Sequence, residues 1–329
     1  MKKFKKLLKT KCCLIDIEFP VLEEKFTSDH YISVSRCDKK LKKNTVEDNG
    51  RLVSGEHIRM TITELDFEII SKTYEGAEGK DIFKSGFIIH DLWIYDRGRL
   101  PVVFIKAVLD YYINKTTLKD VKGREEDYNY AKEMVNSIYG MLVTNPVRDE
   151  IEYLGTVHEW MPAHKPDLGE KLNQYNNNQT RFSFYPHGVW VTAHARMNLW
   201  TGIMELQDDY LYADTDSVKY INYEKHEEYF RSYNENIRQQ MEAAMTYIGA
   251  PLDAWKPKTI KGKEKPLGYW DDEGIYDDFK TLGAKRYMTT KRDENGNPLG
   301  IGGSALSVTI AGVNKRTAVP WMIKTMDDP

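Results

Sequence analysis

The sequence is poor in what would mark a secreted or membrane-bound protein. It holds three cysteines, Cys12, Cys13 and Cys37, in 329 residues, too few for a disulfide scaffold and suited to a reducing compartment. No apolar run comes near the roughly 18 residues that a membrane-spanning helix needs. Residues 1–11 have the lysine content of a signal-peptide leader, but the apolar stretch after them is short and broken by Asp16 and Glu18, so no targeting segment is read there. An excess of one charge is missing as well. The 47 Lys and Arg stand against 50 Asp and Glu, a net charge of −3, so contact with a polyanion would depend on local basic clusters. There is no internal repeat and no heptad run.

What remains is the composition of a folded chain, 41% hydrophobic and 29% charged, with a length that suggests about two or three domains. Residues 1–60 read as strand-like, with short β-type runs at Cys13-Leu14-Ile15-Asp16-Ile17 and Tyr31-Ile32-Ser33-Val34. Arg36, Lys39, Lys40, Lys42 and Lys43 cluster ahead of the turn signal Asn49-Gly50 and fit either a solvated loop or a DNA contact. Thr63 caps a helix whose first turn holds acids and whose Leu65 and Ile69 share a face. Pro101 opens a second helix, with Phe104, Val108 and Tyr111 on one side. A third helix from about 125 to 141 carries Ala131, Val135, Ile138 and Leu142 as its apolar stripe. Residues 145–180, with Pro146, Pro162, Pro166 and Asn176-Asn177-Asn178, read as an insertion carrying a small hairpin. Further on come a buried helix over 187–204, two β runs around a polar turn over 210–221, and an amphipathic helix over 224–247. A hairpin over 285–300 follows, with Asn295-Gly296 in or near its turn.

Two segments carry chemistry. In Tyr212-Ala213-Asp214-Thr215-Asp216-Ser217, two acids one residue apart lie between β-type runs, and side chains at that spacing in a strand point the same way. Such a pair is costly to hold together unless a cation neutralises it, and Mg²⁺ suits carboxylates plus substrate phosphates. The same residues also fit an ordinary acidic turn. In Lys132-Glu133-Met134-Val135-Asn136-Ser137-Ile138-Tyr139-Gly140, Lys132, Asn136 and Tyr139 share one helix face away from the apolar stripe. They offer a cation, an amide and a ring; a plain amphipathic helix with a capping glycine fits as well.

In this order, K-x-x-x-N-S-x-Y-G followed by Y-x-D-T-D-S resembles motifs B and C of family B DNA polymerases, and the short intervals resemble the protein-primed phage and plasmid branch. Gly188-Val189-Trp190-Val191-Thr192-Ala193-His194-Ala195-Arg196 resembles that branch's T-x-x-A/G-R motif, Lys285-Arg286-Tyr287 its K-x-Y motif, and Lys115-Thr116-Thr117 the start of its second fingers helix. The resemblance implies an α+β fold: a polymerase palm with an antiparallel sheet, α-helical fingers and inserted β-hairpin subdomains. It implies an insertion and palm-proximal region at 1–100, fingers at 101–144, a second insertion at 145–182, palm at 183–310 and the start of a thumb at 311–329. It assigns Asp214 and Asp216 to catalysis and metal binding, and Lys115, Lys132, Asn136 and Tyr139 to the nucleotide. Thr192, Arg196, Lys285 and Tyr287 go to primer–template DNA. The implied activity is DNA-directed nucleotidyl transfer from a dNTP to a primer 3′-OH, with two Mg²⁺ ions, a terminal priming protein as a further partner, no membrane, and the host cytoplasm as location.

The departures are specific. The motif A aspartate, in D-x-x-S-L-Y-P, is not found ahead of motif B. Ser183-Phe184-Tyr185-Pro186 copies its tail, but Thr180 stands where the aspartate belongs and the segment follows motif B. Asp16-Ile17-Glu18-Phe19-Pro20 has the wrong spacing, and the exonuclease motifs that Asp16 and Glu18 would need are missing. The expectation is a split or truncated piece that lacks motif A and the exonuclease domain and works with an upstream polymerase segment, or alternatively a catalytically silent DNA-binding fragment. A reverse transcriptase would carry Y-x-D-D at the tip, where Thr215 separates the acids here. Cys12, Cys13, His30 and Cys37 make a poor tetrahedral zinc set, so the thiols are expected to be inert.

Overall fold

A computed structural model describes residues 2–145, 151–156, 158–162, 167–179, 184–293, 295–300, 305–313 and 325–327. Pro146, Pro166, Thr180, Ser183 and most of 311–329 therefore lie outside the described residues. The chain divides into two units, Met1–Met197 with Ile237–Leu267, and Asn198–Asn236 with Gly268–Pro329.

The first unit opens on helix α1 (Lys2–Thr10) and then strand β1 (Cys12–Glu24). β1 alternates as a half-buried strand should, with Cys13, Ile15, Ile17 and Phe19 at 0–1% exposure. β2 (Lys43–Asp48) and β3 (Arg51–Thr63) form a hairpin. Its two-residue turn is Asn49-Gly50, with φ of +47° and +75°, the paired left-handed geometry that Asn-Gly favours. β3 runs antiparallel to β1, Ile15 opposite Ile62. Helix α2 (Glu64–Thr73) leads through β4 (Tyr74–Glu75) and the short α3 (Ile82–Ser85) to β5 (Ile88–Tyr95). β4 and β5 pair with the two ends of β1 on its other edge, and the sheet has five strands, all antiparallel. Its core is aromatic: the Phe67 ring lies 5.3 Å from Phe83, 5.5 Å from Phe87 and 5.8 Å from Phe4. These are edge-on contacts that add to simple area burial.

Helices α4 (Val102–Leu118) and α5 (Glu125–Leu142) form an antiparallel pair. On α5 the expected stripe is inward, with Ala131 and Leu142 buried and Val135 and Ile138 half-buried. A hairpin of β6 (Ile151–Leu154) and β7 (Glu159–Pro162) lies where one is expected. It is followed by α6 (Leu168–Asn177), whose cap Asp167 accepts from the Glu170 N–H at 3.0 Å. Parts of α7 (Tyr185–Leu206) and α8 (Glu227–Ile248) belong to each unit. The second unit also holds the hairpin of β8 (Tyr210–Asp214) and β9 (Ser217–Tyr220), and an antiparallel sheet of β10 (Phe279–Thr281), β11 (Arg286–Thr290) and β12 (Leu306–Ile310) around Met288, Leu306 and Val308.

Three expectations change. Residues 2–10 are a helix, not part of a strand-like stretch, because Phe4, Leu7 and Leu8 are inward at helical spacing. Residues 31–34 do not form a strand: Ser33 makes a single bridge to Arg51 and a 3₁₀ turn, Val34–Arg36, follows. The hairpin expected over 285–300 has its turn at Asn295-Gly296, held by the Asp293 carboxylate, but the returning strand is β12, several residues later. The mixed, antiparallel architecture is otherwise that of an α+β protein.

Phe67 is 2% exposed at the centre of the aromatic cluster. Phe67→Ala is expected to cost about 3–5 kcal/mol by urea unfolding, from reduced burial and the cavity left behind.

Candidate functional site

In the second unit, the β8–β9 hairpin presents Asp214 and Asp216. Thr215 at its tip has φ +57°, and the Asp216 N–H donates to the Asp214 carbonyl at 2.6 Å. The strand-alternation argument for the two acids therefore needs correction. Asp214 ends β8, but Thr215 and Asp216 are the turn itself, so the turn geometry and not the pleat brings them near. The Asp214 Oδ1 accepts from Thr215 Oγ1 at 2.9 Å and lies 3.2 Å from Lys285 Nζ. Lys285, expected as a DNA contact, thus meets the acidic tip directly.

Tyr212 explains how. It is buried, its hydroxyl accepts from the Lys285 N–H at 2.9 Å, and its ring lies 5.3 Å from Tyr287 and 5.9 Å from Phe279. Lys285 has φ +55°, a conformation a non-glycine residue holds only when its surroundings fix it. At the base of the hairpin, the Ile221 N–H donates to the Asp209 carbonyl at 2.9 Å. The Asp209 carboxylate accepts from Lys225 at 2.8 Å, Asn222 at 2.7 Å and His226 Nε2 at 3.0 Å. Those bonds, Lys225 first, hold the Asp209 carboxyl well below the usual carboxylate range. Asp209 is a clasp across the hairpin's open end. Neither Tyr212's hydroxyl nor Asp209 is singled out by spacing alone.

In the first unit, α5 carries Lys132, Asn136 and Tyr139 exposed on one face, displaced from the apolar stripe, as their spacing requires. Lys115, on α4, lies half-buried with Nζ 5.6 Å from the Tyr112 ring centre. The α4–α5 connection borders an open cavity of about 550 Å³ lined by Lys119 and Lys122 among others. Gly188 admits α7 beside the end of α5, since a Cβ there would overlap Val143 and crowd Leu142.

Two residues of α7 are already engaged within the unit. Arg196 donates from Nε to Asp66 Oδ1 at 2.8 Å and from Nη2 to Asp66 Oδ2 at 3.1 Å, with a further contact to the Tyr31 hydroxyl at 3.2 Å. Asp66 also accepts from the Tyr31 hydroxyl, the Thr63 N–H and the Thr63 hydroxyl. Nearer the start of α7, Trp190 Nε1 donates to Glu64 at 3.0 Å, and Glu64 also takes the Cys13 N–H at 2.8 Å. Thr192 donates to the Val189 carbonyl within its own helix. Two acids of α2, readable in the sequence only as first-turn acids, thus anchor the helix that carries Thr192 and Arg196.

Asp16, Glu18, Cys13 and Cys37 are engaged or buried within the first unit. Asp16 is bound by Arg59 through Nε at 3.0 Å and Nη2 at 2.7 Å, which lowers its pKa; Glu18 accepts from His57 and His90, both at 2.9 Å. Neither is free to join a metal site. Cys13 and Cys37 are buried, and burial raises both thiols to about 11, far from the reactive range. Among the described residues, no group of three or more His, Cys, Asp or Glu side chains is placed to hold a metal ion. Asp214 and Asp216 alone would leave most of a cation's shell to other donors. No helix is long and apolar enough to cross a membrane among the described residues.

Comparison with known proteins points to one class, the DNA polymerases of phages. The chain is 25% identical over 241 residues to the DNA polymerase of Bacillus phage phi29, a match that covers 66% of this chain and 34% of that polymerase. It is 24% identical over 238 residues to the DNA polymerase of Bacillus phage Nf, covering 71% and 32%, and 23% identical over 236 residues to that of Bacillus phage B103, covering 71% and 32%. The chain spans about a third of the length of these curated relatives. No family model matches it, and no solved structure does. The similarity supports a distant relationship to phage DNA polymerases.

Burial alone would raise the Asp66 carboxyl, but the Arg196 bonds and charge, the Tyr31 hydroxyl and the Thr63 N–H together bring it below its ordinary 3.8. A depressed folded pKa stabilises above the unfolded value, and that stability disappears as pH falls through the folded one. Asp66→Asn is therefore expected to cost about 3 kcal/mol in urea unfolding at pH 7. The gap to wild type should hold at pH 5 and narrow below about pH 4. A gap independent of pH over that span would show that Asp66 is not held ionised.

Proposed function

We propose that this chain is part of a DNA-directed DNA polymerase core of the family B, protein-primed type. It would join a dNTP to a primer 3′-OH in replication of phage or plasmid DNA in the host cytoplasm. The observation that carries the reading is the β8–β9 hairpin, with Asp214 and Asp216 at its tip and Lys285 against Asp214, in a chain similar to phage DNA polymerases. The 3′ oxygen forms a bond to the α-phosphorus of the dNTP, the bond to the pyrophosphate leaving group breaks, and the proton of the hydroxyl passes to solvent.

In this reading Asp216, with Asp214 in support, would hold Mg²⁺, which supplies charge neutralisation at the reacting phosphate. Asp214 and Asp216 offer carboxylate oxygens of the kind Mg²⁺ prefers, and a motif A aspartate from an upstream polymerase segment would complete the set for two ions. Lys115 and Lys132 neutralise the triphosphate, Tyr139 and Asn136 face base and sugar, and positioning does most of the work. Lys285 and Tyr287 would hold the primer end, and Thr192 and Arg196 the primer–template backbone. Residues 101–144 would be the fingers, 183–310 the palm, 145–182 the second insertion, 1–100 the first insertion with its contacts to duplex and terminal protein, and 311–329 the start of the thumb.

The decisive experiment is primer extension with Mg²⁺ by the purified chain, alone and together with a polypeptide carrying D-x-x-S-L-Y-P. Extension in the mixture supports the reading, and DNA binding without extension in either case would support a silent DNA-binding fragment. Asp216→Asn is expected to reduce extension by the active mixture at least about a thousandfold, since it removes a metal carboxylate worth several kcal/mol at the transition state. Extension at the wild-type rate would remove Asp216 from the site.

Lys132→Ala is expected to raise KM for dNTP or lower kcat about tenfold or more while DNA affinity holds, because a lysine on the triphosphate acts on the nucleotide. Weakened DNA affinity with unchanged dNTP kinetics would put Lys132 on the template instead.

A further inference from the structure

The clasp at the base of the β8–β9 hairpin uses one nitrogen of His226 and leaves the other unexplained. His226 is 7% exposed and stands directly before α8. Its Nε2 lies 3.0 Å from Asp209 Oδ2. Its Nδ1 is buried without a hydrogen-bond partner among the described residues, and Glu205 Oε1, near the end of α7, stands 3.9 Å from it. Glu205, Asp209 and His226 all belong to the second unit. The tautomer follows from the donors. Lys225, Asn222 and His226 hold the Asp209 carboxyl ionised, and an ionised carboxylate only accepts. The hydrogen between ring and carboxylate is therefore on Nε2. In a neutral ring Nδ1 is then a bare acceptor, beside a second acceptor on Glu205 and too far from it for a bond. A buried polar atom left in this state costs free energy. One added proton reverses the arrangement: Nδ1 becomes a donor, and the ring meets a carboxylate on each side.

The groups around the ring pull in both directions. Glu205 comes from α7 and Asp209 from the 3₁₀ turn before β8. From the turn after β9 come Asn222 and Lys225, whose ammonium lies 2.8 Å from the same Asp209 Oδ2. Tyr220, the last residue of β9, sets its ring edge-on to the imidazole at 5.8 Å and stacks on Phe230 of α8. Glu227 and Glu228 follow in the first turn of α8. Tyr229 adds no charge, because burial pushes its hydroxyl up to about 12. Lys225 and the N-terminus of α8 disfavour a cation on the ring, while Asp209, Glu205, Glu227 and Glu228 favour one.

We propose that His226 is a positioning residue for the Asp214–Asp216 hairpin, acting as an imidazolium bridge between Asp209 and Glu205. Its consequence for catalysis rests on the polymerase reading above. With the proton in place, one ring joins α7, the start of α8 and the base of the hairpin. Without it, Asp209 keeps its bond to Nε2 and Glu205 drops out of the brace. Histidine ordinarily changes charge between about pH 5 and pH 8. The brace is therefore made at the lower end of that range and lost as pH rises through it, and the acidic tip is held more firmly where it is made.

The test reads the Ile221 amide, which donates to the Asp209 carbonyl at the base of the hairpin. Its hydrogen-exchange protection factor is measured by NMR in the full chain at about pH 5.5 and about pH 8. The expected result is protection about three- to tenfold lower at the higher pH. Glu205→Gln removes the difference, because its amide can donate to the neutral Nδ1, so protection at the higher pH stays at the wild-type level of the lower one. His226→Gln cannot change charge and gives one value throughout. A packing role alone would give His226→Gln the same deficit at both pH values and overturn the inference. If His226→Gln does not fold by circular dichroism, Glu205→Gln, at a side chain 43% exposed, carries the test. Wild-type protection independent of pH, or a pH dependence kept in Glu205→Gln, also overturns the inference. Primer extension with the motif A polypeptide gives the second readout. The kcat of wild type relative to Glu205→Gln is expected to fall by a similar factor over the same pH range. A pH-dependent Ile221 amide without extension in any mixture keeps the brace and removes the polymerase reading. Extension with a pH-independent amide keeps the reading and removes the brace.

Discussion

A carboxylate that is 1% exposed stays ionised only if the charge is met from within, and Asp66 is met on every side. Its own N–H and oxygens exchange bonds with Thr63 to close the capping box of α2; Tyr31 brings the loop before the 3₁₀ turn; Arg196 brings α7. Removing two charges from water is expensive, so such a pair is a weak source of net stability against an apolar replacement. What it provides is discrimination. An α7 displaced by one residue along its axis would leave Asp66 charged and unpaired, an error far costlier than a displaced leucine. Glu64 repeats the constraint through Trp190 and the Cys13 N–H. The aromatic core can tolerate small slips, and these two acids fix the register in which it packs.

The second unit solves a different problem, holding strained backbone at a point where chemistry is proposed. Thr215 and Lys285 are both left-handed without being glycine, and each costs of order 1 kcal/mol. The hairpin is short, so its ladder alone is a poor support. Asp209 ties its base through three side-chain donors, and Tyr212 ties its far end to the loop before β11 through one hydroxyl and two rings. Tyr212 stands two residues before Asp214, so one side chain couples the acidic tip to Lys285.

Local signals are legible wherever the answer lies in local physics. Thr63 as a cap, Asn49-Gly50 as a two-residue turn, Pro101 at a helix start and the Ala131–Leu142 stripe each follow from rules that act within a few residues. What is not legible depends on residues far apart. Asp66 meets Arg196 across 130 positions and Lys285 meets Tyr212 across 73, and no periodicity announces such pairs. Helix α1 escapes for another reason: its lysines dominate the composition, and the spacing of Phe4, Leu7 and Leu8 carries the helical signal in only three residues. At the hairpin tip the strand-period argument for Asp214 and Asp216 fails, since a strand period does not apply to a turn.

The two carboxylate–cation pairs at Asp66 and Asp214 use the same chemistry to opposite ends, and exposure decides which. The Asp66 pair has one partner almost wholly buried, so separating it would strand a charge in low dielectric. The Asp214–Lys285 pair is 23% and 55% exposed, and an ion pair that open to water contributes less than about 1 kcal/mol. Lys285 can therefore leave Asp214 at little cost. Asp214 and Asp216 share one nearby ammonium, and a divalent cation would bring the tip the positive charge that a single lysine does not. On the proposed reading, Lys285 then has the freedom to follow the primer phosphate, while its backbone stays fixed by the Tyr212 hydroxyl. A buried partner for Asp214 would have made a firmer hairpin and a worse place to receive a cation.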